Sequence, residues 1–444
     1  MIASGLGGFV SAVNKTGGAF NQLKELVEKS NELLLRHASN LDSIFDSYDI
    51  DKYTCLHAGI LRAKYLSQLS LDKEVLILQT QSFFEQCSVD DARKMSQYVR
   101  TISQEFTNRL IAWNVAFRGI ESLMIGIKKL QRSSSQLTSL HSDVCQLALS
   151  ARLFSPVLPL LNVDILEIEK NYSFVDQKDY LLYFYYGGMI YGALKNWERA
   201  LHFFELCLII PSFSVSCILV EAAKKVILTS LIHNGKFTTV LKVPTQFVSP
   251  RPWKRYCQPY MALATAFQDP NPEALETVIE THRNTFVARL QSSTQDKEAF
   301  LLEDIHINST QDHNYGLVKQ VAKSYVKFRI HSLTKTFMTM SLADVASRVK
   351  LTNAQEAEKY LLEMIESKAI FARIDQRNGT VYFQDDPERY NSMEMFMTLQ
   401  KKIEECVALE KYLMNVSDEL AENPKYAKRM LELESRTAKP SGHY

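Results

Sequence analysis

The sequence is poor in residues that interrupt helices. Its 444 residues include only 15 glycines and 12 prolines, and alternating apolar and polar residues are nearly absent before residue 370. An all-β architecture is therefore excluded, and helix is expected to dominate. Long apolar runs are also missing. The uncharged stretch from Tyr180 to Leu194 is bounded by Asp179 and Lys195, short of the ~20 apolar residues a membrane-spanning helix needs. A second stretch, "LCLIIPSFSVSCILV", is broken by Pro211 and flanked by Glu205 and Glu221. The opening "MIASGLGGFVSAV" lacks the basic start of a secretion signal. The expectation is a soluble, intracellular chain with no membrane partner.

Neither sign of charge is in excess. Lysine and arginine total 51 against 50 acids, so the chain as a whole has no field to collect nucleic acid or anionic lipid. The seven cysteines (Cys55, Cys87, Cys145, Cys207, Cys217, Cys257 and Cys406) are odd in number, scattered and never paired as C-x-x-C. That usage suits a reducing compartment and excludes a zinc ribbon. Most sit among apolar neighbours, where a thiol acts as a small buried hydrophobe.

The motifs of catalysis are missing too. The ten histidines form no H-E-x-x-H, and His306 has only Asn308 where a second metal-binding histidine would stand. "GLGG" near the start lacks the preceding strand and following lysine of a phosphate loop. G-x-S-x-G is absent. "SLHSDVC" places His141, Asp143 and Cys145 close in sequence, but on a helix those positions point in different directions, whereas a nucleophile and its base must share one face. No catalytic residue, metal ligand or cofactor is expected.

What the sequence does contain is helical rhythm. Leu23, Leu26, Val27, Leu33 and Leu34 recur at helical spacing, as do the apolar residues of "TCLHAGILRAKYL", "VLILQTQSFFEQC" and "IESLMIGIKKLQ". Short amphipathic helices joined by small polar linkers suit stacked helix pairs. One stretch, "LLYFYYGGMIYGALKNWERALHFF", has the residue types of a tetratricopeptide (TPR) repeat, a helix pair of ~34 residues. Phe184, Gly188, Tyr191, Ala200 and Phe204 occupy its packing positions. Gly188 would let the second helix approach while Tyr191 and Phe204 fill the space around it. Pro211 would close the pair. Neighbouring segments share the rhythm without the consensus letters and are taken as degenerate repeats.

Three segments interrupt the rhythm. Residues 242–260 are proline-rich and carry Arg251, Trp253, Lys254 and Arg255, a small basic and aromatic patch expected to be a solvated loop. Residues 291–314 are polar and aperiodic, and the tail "RTAKPSGHY" reads as unstructured.

After a long amphipathic helix from residue 316, the pattern becomes helix, turn, helix, hairpin. Ser341 with Asp344 caps a helix whose buried stripe is Leu342, Val345, Ala346 and Val349. Thr352 with Gln355, or Asn353 with Glu356, can box the next helix, whose apolar face is Ala357, Tyr360, Leu361, Met364 and Ile365. "AIFARI" and "TVYF", joined through Asn378-Gly379, read as a two-stranded wing. The second helix carries Glu356, Glu358, Glu363 and Glu366 against Lys359. An anionic helix in the major groove would repel the phosphates that supply affinity, so nucleic acid is not the expected partner. The wing's unpaired edge suits addition of another chain. Ile370, Phe371, Ile374, Val381 and Phe383 are its candidate contact residues. A final helix carries Phe396, Leu399, Ile403, Cys406, Leu409, Leu413, Val416 and Leu420 along one stripe. It follows a domain that has its own core, so helices from other chains are the favoured partners.

Helical repeats leading into a winged helix form the PCI arrangement of scaffold subunits in the proteasome lid, the COP-nine signalosome and a large translation initiation factor. The stretches "QLTSLHSDVCQLALSARLFSPVLPLLNVDI", "YYGGMIYGALKNWERAL", "GLVKQ", "LTKTFMTMSLADVASRV" and "QEAEKYLLEMIE" together resemble the family of signalosome third subunits over most of the chain. The resemblance implies a mainly α fold. A TPR-like helical-repeat arm would occupy 1–245, and the end of the repeats, with a polar insertion at about 287–314, would occupy 246–338. The PCI winged helix would follow at 339–390, a C-terminal bundle helix at 391–424 and a flexible tail at 425–444. It implies a non-catalytic scaffold of the complex that removes the ubiquitin-like modifier NEDD8 from cullins and so regulates cullin–RING ubiquitin ligases, with the catalytic centre in another subunit. It further implies contacts with subunits one and eight, an indirect link to cullin–RING ligases, and residence in cytoplasm and nucleus. The alternatives are a scaffold of the lid or of the initiation factor and, further off, a winged-helix nucleic-acid binder.

Overall fold

A computed structural model describes residues 6–67, 72–166, 175–209, 216–237, 256–286, 314–385 and 392–431, positions 425 and 429 excepted. The protein is mainly α and divides into two compact units, 1–329 and 330–444. The proline-rich segment up to residue 255, the polar stretch 287–313, Pro211 and most of the tail lie outside the described residues.

The first unit opens with α1 (Leu6–Thr16), α2 (Phe20–Lys29), α3 (Asn31–Arg36), α4 (Asp42–Ser47), α5 (Thr54–Leu66) and α6 (Lys73–Gln86). It continues with α7 (Val89–Lys94), α8 (Ser96–Ala112), α9 (Phe117–Leu130), α10 (Leu140–Ala151) and α11 (Leu158–Leu161). Each longer helix packs mainly on near neighbours in the chain: α2 on α5, α5 on α8, α6 on α9, and α10 on both α8 and α9. The hydrophobic core runs continuously along the unit from Phe9 to Tyr325, as expected of stacked helix pairs that cannot bury their apolar faces alone.

Cations tie successive helices together at their C-terminal ends, where backbone carbonyls have no partner within the helix. Arg93 of α7 donates to the carbonyls of Lys129, Leu130 and Gln131 at the end of α9. Lys129 in turn donates to the carbonyls of Glu85 and Cys87 at the end of α6. Arg109 of α8 reaches those of Tyr65 and Ser67 at the end of α5.

The TPR-like stretch forms α12 (Gln177–Ala193) and α13 (Trp197–Ile209), packed on each other. Asp176 and Asp179 make the reciprocal capping box that starts α12, and Arg100 of α8 binds both carboxylates at 2.6 and 3.1 Å. Because α12 is covered by α10, α13 and α14 (Cys217–Asn234), it carries apolar residues around its whole girth. A Cβ on Gly188 would stand 2.6 Å from the Phe204 ring, and one on Gly187 would stand 2.6 Å from the Phe203 ring. Gly188 is therefore a close-approach glycine of a buried helix pair. Phe184, Tyr191, Ala200 and Phe204 are all buried in the same joint, and the Tyr191 hydroxyl donates to Asn162. The unit ends with α15 (Gln258–Gln268), α16 (Pro272–Thr281), α17 (Arg283–Phe286) and most of α18 (Tyr315–Thr334).

The second unit holds a three-stranded antiparallel sheet, β1 (Thr339–Ser341), β2 (Phe371–Asp375) and β3 (Thr380–Gln384), in the order β1-β3-β2. Two helices, α19 (Leu342–Val349) and α20 (Ala354–Glu366), lie between β1 and β2 in the chain and pack on each other. The sheet differs from the expected two-stranded wing, because "TMS" pairs with the far side of β3, Met340 opposite Val381. Three residues carry too little alternation to announce a strand. The hairpin turns at Gly379 with φ +61°, a conformation glycine adopts without strain, and Asp375 accepts from the backbone of Arg377 and the amide of Asn378. Ser341 caps α19 by accepting from the Asp344 backbone at 3.0 Å. Neither expected box starts α20: Asn353 is its cap residue without a side-chain bond, and Thr352 instead donates to Glu356, four residues on. The last helix, α21 (Met393–Glu422), begins at Ser392, whose hydroxyl accepts from the backbone of Met395.

Candidate protein-interaction site

Two features of the second unit can meet another chain: the sheet edge and α21. In the sheet β3 is central, so its backbone is engaged on both sides, while β2 pairs among the described residues only with β3. Among the described residues the outer edge of β2 therefore has no strand partner for its N–H and C=O groups. The candidate wing residues divide by depth. Val381 is fully buried, and Ile370 and Phe383 are nearly so. They join Met340, Leu342, Val345, Ala346, Val349, Ala357, Leu361 and Met364 as the buried apolar residues of the winged helix. Phe371 and Ile374 on β2 are half-buried, and Arg373 between them is exposed. A chain added to this edge would meet the backbone of β2 and the flanks of Phe371 and Ile374. It would not meet Ile370, Val381 or Phe383, because these side chains are spent on their own core.

On α21 the situation is reversed. None of its 30 residues is buried. Phe396 and Ile403 are each 62% exposed, with Leu399, Leu409, Leu413 and Leu420 between 44% and 56%. Cys406 is exposed and Val416 half-buried. Met393, Met397, Val407 and Met414 add to the uncovered apolar surface. Isolated exposed leucines are ordinary, but a continuous stripe on a long helix marks an association surface. The chain offers it no cover among the described residues.

The second helix of the winged helix is unsuited to a phosphate backbone. Glu356, Glu358, Glu363 and Glu366 lie on α20 with Lys359 as its only cation. Glu358 is taken up by the amide of Gln376 in the hairpin, so the acidic helix is partly knitted into the wing.

The sequence cluster of His141, Asp143 and Cys145 on α10 shows what burial does to reactive groups. His141 bonds through Nδ1 to Thr138 and through Nε2 to Gln131. Asp143 accepts from Ser103 Oγ at 2.5 Å. Cys145 is buried, and burial pushes its thiol pKa far up, so it is not a thiolate near neutral pH. Burial also holds the His141 pKa down to about 4 and pushes that of Asp143 up to about 7. His141 and Asp143 are bonded to different partners, neither of them Cys145, so the three do not form a nucleophile and its base. Among the described residues no three His, Cys, Asp or Glu side chains gather to hold a metal, and no helix is long and apolar enough to cross a membrane. Sequence reasoning had no access to the Asp143–Ser103 contact, whose partners lie on different helices 40 positions apart.

Comparison with known proteins fits this geometry. Residues 17–248 match the family described as COP9 signalosome complex subunit 3, N-terminal helical repeats, and residues 301–385 match the PCI domain. The chain is 35% identical to COP9 signalosome complex subunit 3 of Drosophila melanogaster over 449 residues, which covers 97% of this chain and 95% of the fly protein. It is 34% identical to the Arabidopsis thaliana protein of the same name, over 86% of this chain and 83% of the plant protein. With repeats, PCI domain and nearly full-length similarity in agreement, the chain belongs to the COP9 signalosome complex subunit 3 family.

Proposed function

We propose that this protein is a non-catalytic scaffold subunit of the signalosome, the complex that removes NEDD8 from cullins and thereby regulates cullin–RING ubiquitin ligases. The observation that carries the reading is α21, 30 residues long with no residue buried and an apolar stripe along its length. A helix of that kind gains stability only by association, since fully covering a Leu or Phe side chain is worth about 1.5–3 kcal/mol, less the ordering costs of binding. In this reading α21 enters a bundle of helices from other subunits, and the outer edge of β2 receives the winged helix of a neighbour. Subunits one and eight are the proposed neighbours, the catalytic centre lies in another subunit, and the complex works in cytoplasm and nucleus.

The test uses the chain's own chemistry. Among the described cysteines only Cys406 is exposed, and it lies in the stripe. A thiol-alkylating reagent should modify Cys406 rapidly in the free chain and at least tenfold more slowly in the assembled complex. Deleting residues 393–444 should abolish stable incorporation while leaving the thermal transition of the winged helix in place. Normal incorporation of the truncated chain would refute the role assigned to α21.

A further inference from the structure

From the outer face of α18 we infer a docking surface for an acidic helix of another subunit, one whose carboxylates stand four residues apart and meet Lys319 and Lys323. The inference rests on the scaffold reading above and names the chemistry of a contact on the first unit. Charge of only one sign occurs on α18. Its 20 residues include Lys319, Lys323, Lys327 and Arg329 and no aspartate or glutamate, in a chain whose 51 lysines and arginines are set against 50 acids. Val318, Val321 and Tyr325 anchor one side of the helix in the core of the first unit. At ~100° per residue, Lys319, Lys323 and Lys327 fall within about 60° of the opposite direction, and Lys319 and Lys323 are exposed. Among the described residues neither of these two is paired with an acid. Lys319 instead lies over the Tyr315 ring at 4.7 Å, and Arg283 of α17 shares that ring at 5.9 Å. Of these cations only Arg283 has a printed carboxylate neighbour, Glu280 at 3.4 Å. A Cβ on Gly316 would meet nothing within 4 Å, so the face is open beside Tyr315 and Lys319.

Like charges four residues apart weaken a helix, and an acidic partner turns that repulsion into attraction. Carboxylates fit the row better than phosphates do. Lysine is a point charge without the planar fork by which arginine grips phosphate. The row from Lys319 to Lys327 covers only about 12 Å on one helix, whereas a nucleic-acid backbone draws its affinity from several cations along its path. Glutamates or aspartates four residues apart on a partner helix recur every ~6 Å, the rise that separates Lys319 from Lys323. Such a helix would also cover Tyr315, a residue type enriched at interfaces.

The test is zero-length crosslinking of the assembled complex with a water-soluble carbodiimide, which joins a lysine amine directly to a carboxylate, followed by mass spectrometry of the linked peptides. The expected result is amide links from Lys319 and Lys323 to acids of one other subunit. Links only to acids of residues 287–313 of the same chain would overturn the inference, and so would absence of links at both lysines while other lysines of the chain react, as a phosphodiester partner would give. Lys319→Gln and Lys323→Gln together, on exposed side chains, should speed release of the chain from the complex roughly 2- to 30-fold at about 50 mM salt, the worth of two exposed ion pairs. That difference should vanish at about 1 M salt. Unchanged release at low salt would also overturn the inference. None of these outcomes bears on incorporation of the chain truncated at residue 393, so the role of α21 stands or falls separately.

Discussion

Replacing Asp143 by asparagine should stabilise the protein, and by more as the pH rises. The carboxyl lies on α10, buried, with Ser103 Oγ donating to one oxygen at 2.5 Å. Arg100 and Ser103 face it from α8, Asp179 and Tyr186 from α12, and Cys145 from its own helix. Arg100 is committed to Asp176 and Asp179, so no cation binds Asp143 directly. Burial is the main cause that raises its pKa from 3.8 to about 7, Asp179 adds to it, and the Ser103 bond and Arg100 offset part. Between those two values the unfolded chain releases the proton and the folded chain keeps it. The stabilising contribution of the neutral carboxyl is therefore complete below about pH 4 and lost progressively up to pH 7. At 1.36 kcal/mol per unit the loss reaches roughly 4 kcal/mol. An asparagine at this position keeps an acceptor for Ser103, matches the shape of the neutral acid and does not titrate. The stability gap between the variant and its parent should widen by about 2–3 kcal/mol from pH 5 to pH 8 and change little above it. Urea unfolding at a series of pH values, followed by circular dichroism, reads this directly. A gap independent of pH, or a variant less stable than the parent at pH 8, would refute the reasoning.

How much of this was open to a reader of the sequence depends on the range of the interactions involved. The α12–α13 joint was legible because close helix packing demands particular sizes at particular intervals, and Gly188, Ala200 and Phe204 supply them locally. The α21 stripe was legible for the same reason, since it is a property of one helix. The wing was legible only in part. Alternation says which side chains share a face, but whether that face is covered by the protein's own helices or by a neighbour is a tertiary fact. Ile370, Val381 and Phe383 prove to be covered from within. The cations that close helix ends were hidden altogether, because Arg93 and the carbonyls it binds are 36 to 38 residues apart.

Two further substitutions test the packing of the arm. Arg93→Met removes the donors to three carbonyls at the end of α9 and should cost about 1–2 kcal/mol in urea unfolding. Because the acceptors are backbone groups rather than a mobile counter-charge, the loss should be nearly the same at low and high salt, and a loss that vanishes in 1 M salt would contradict the assignment. Gly188→Ala and Gly192→Ala form a matched pair four residues apart on α12. A Cβ at Gly188 would meet the Phe204 ring at 2.6 Å, while one at Gly192 meets nothing nearer than Trp197 at 4.0 Å. Gly188→Ala gains the ~0.5–1 kcal/mol by which alanine favours a helix interior over glycine, and Gly192→Ala, one residue from the end of α12, gains at most that. At Gly188 the ring of Phe204 must shift within a packed joint, an overpacking cost of about 1–3 kcal/mol that exceeds the gain. Gly188→Ala should therefore lower the urea midpoint and Gly192→Ala leave it level or raise it. Equal effects at the two positions would mean that approach of α13, with Phe204 at its centre, is not what the glycine at 188 serves.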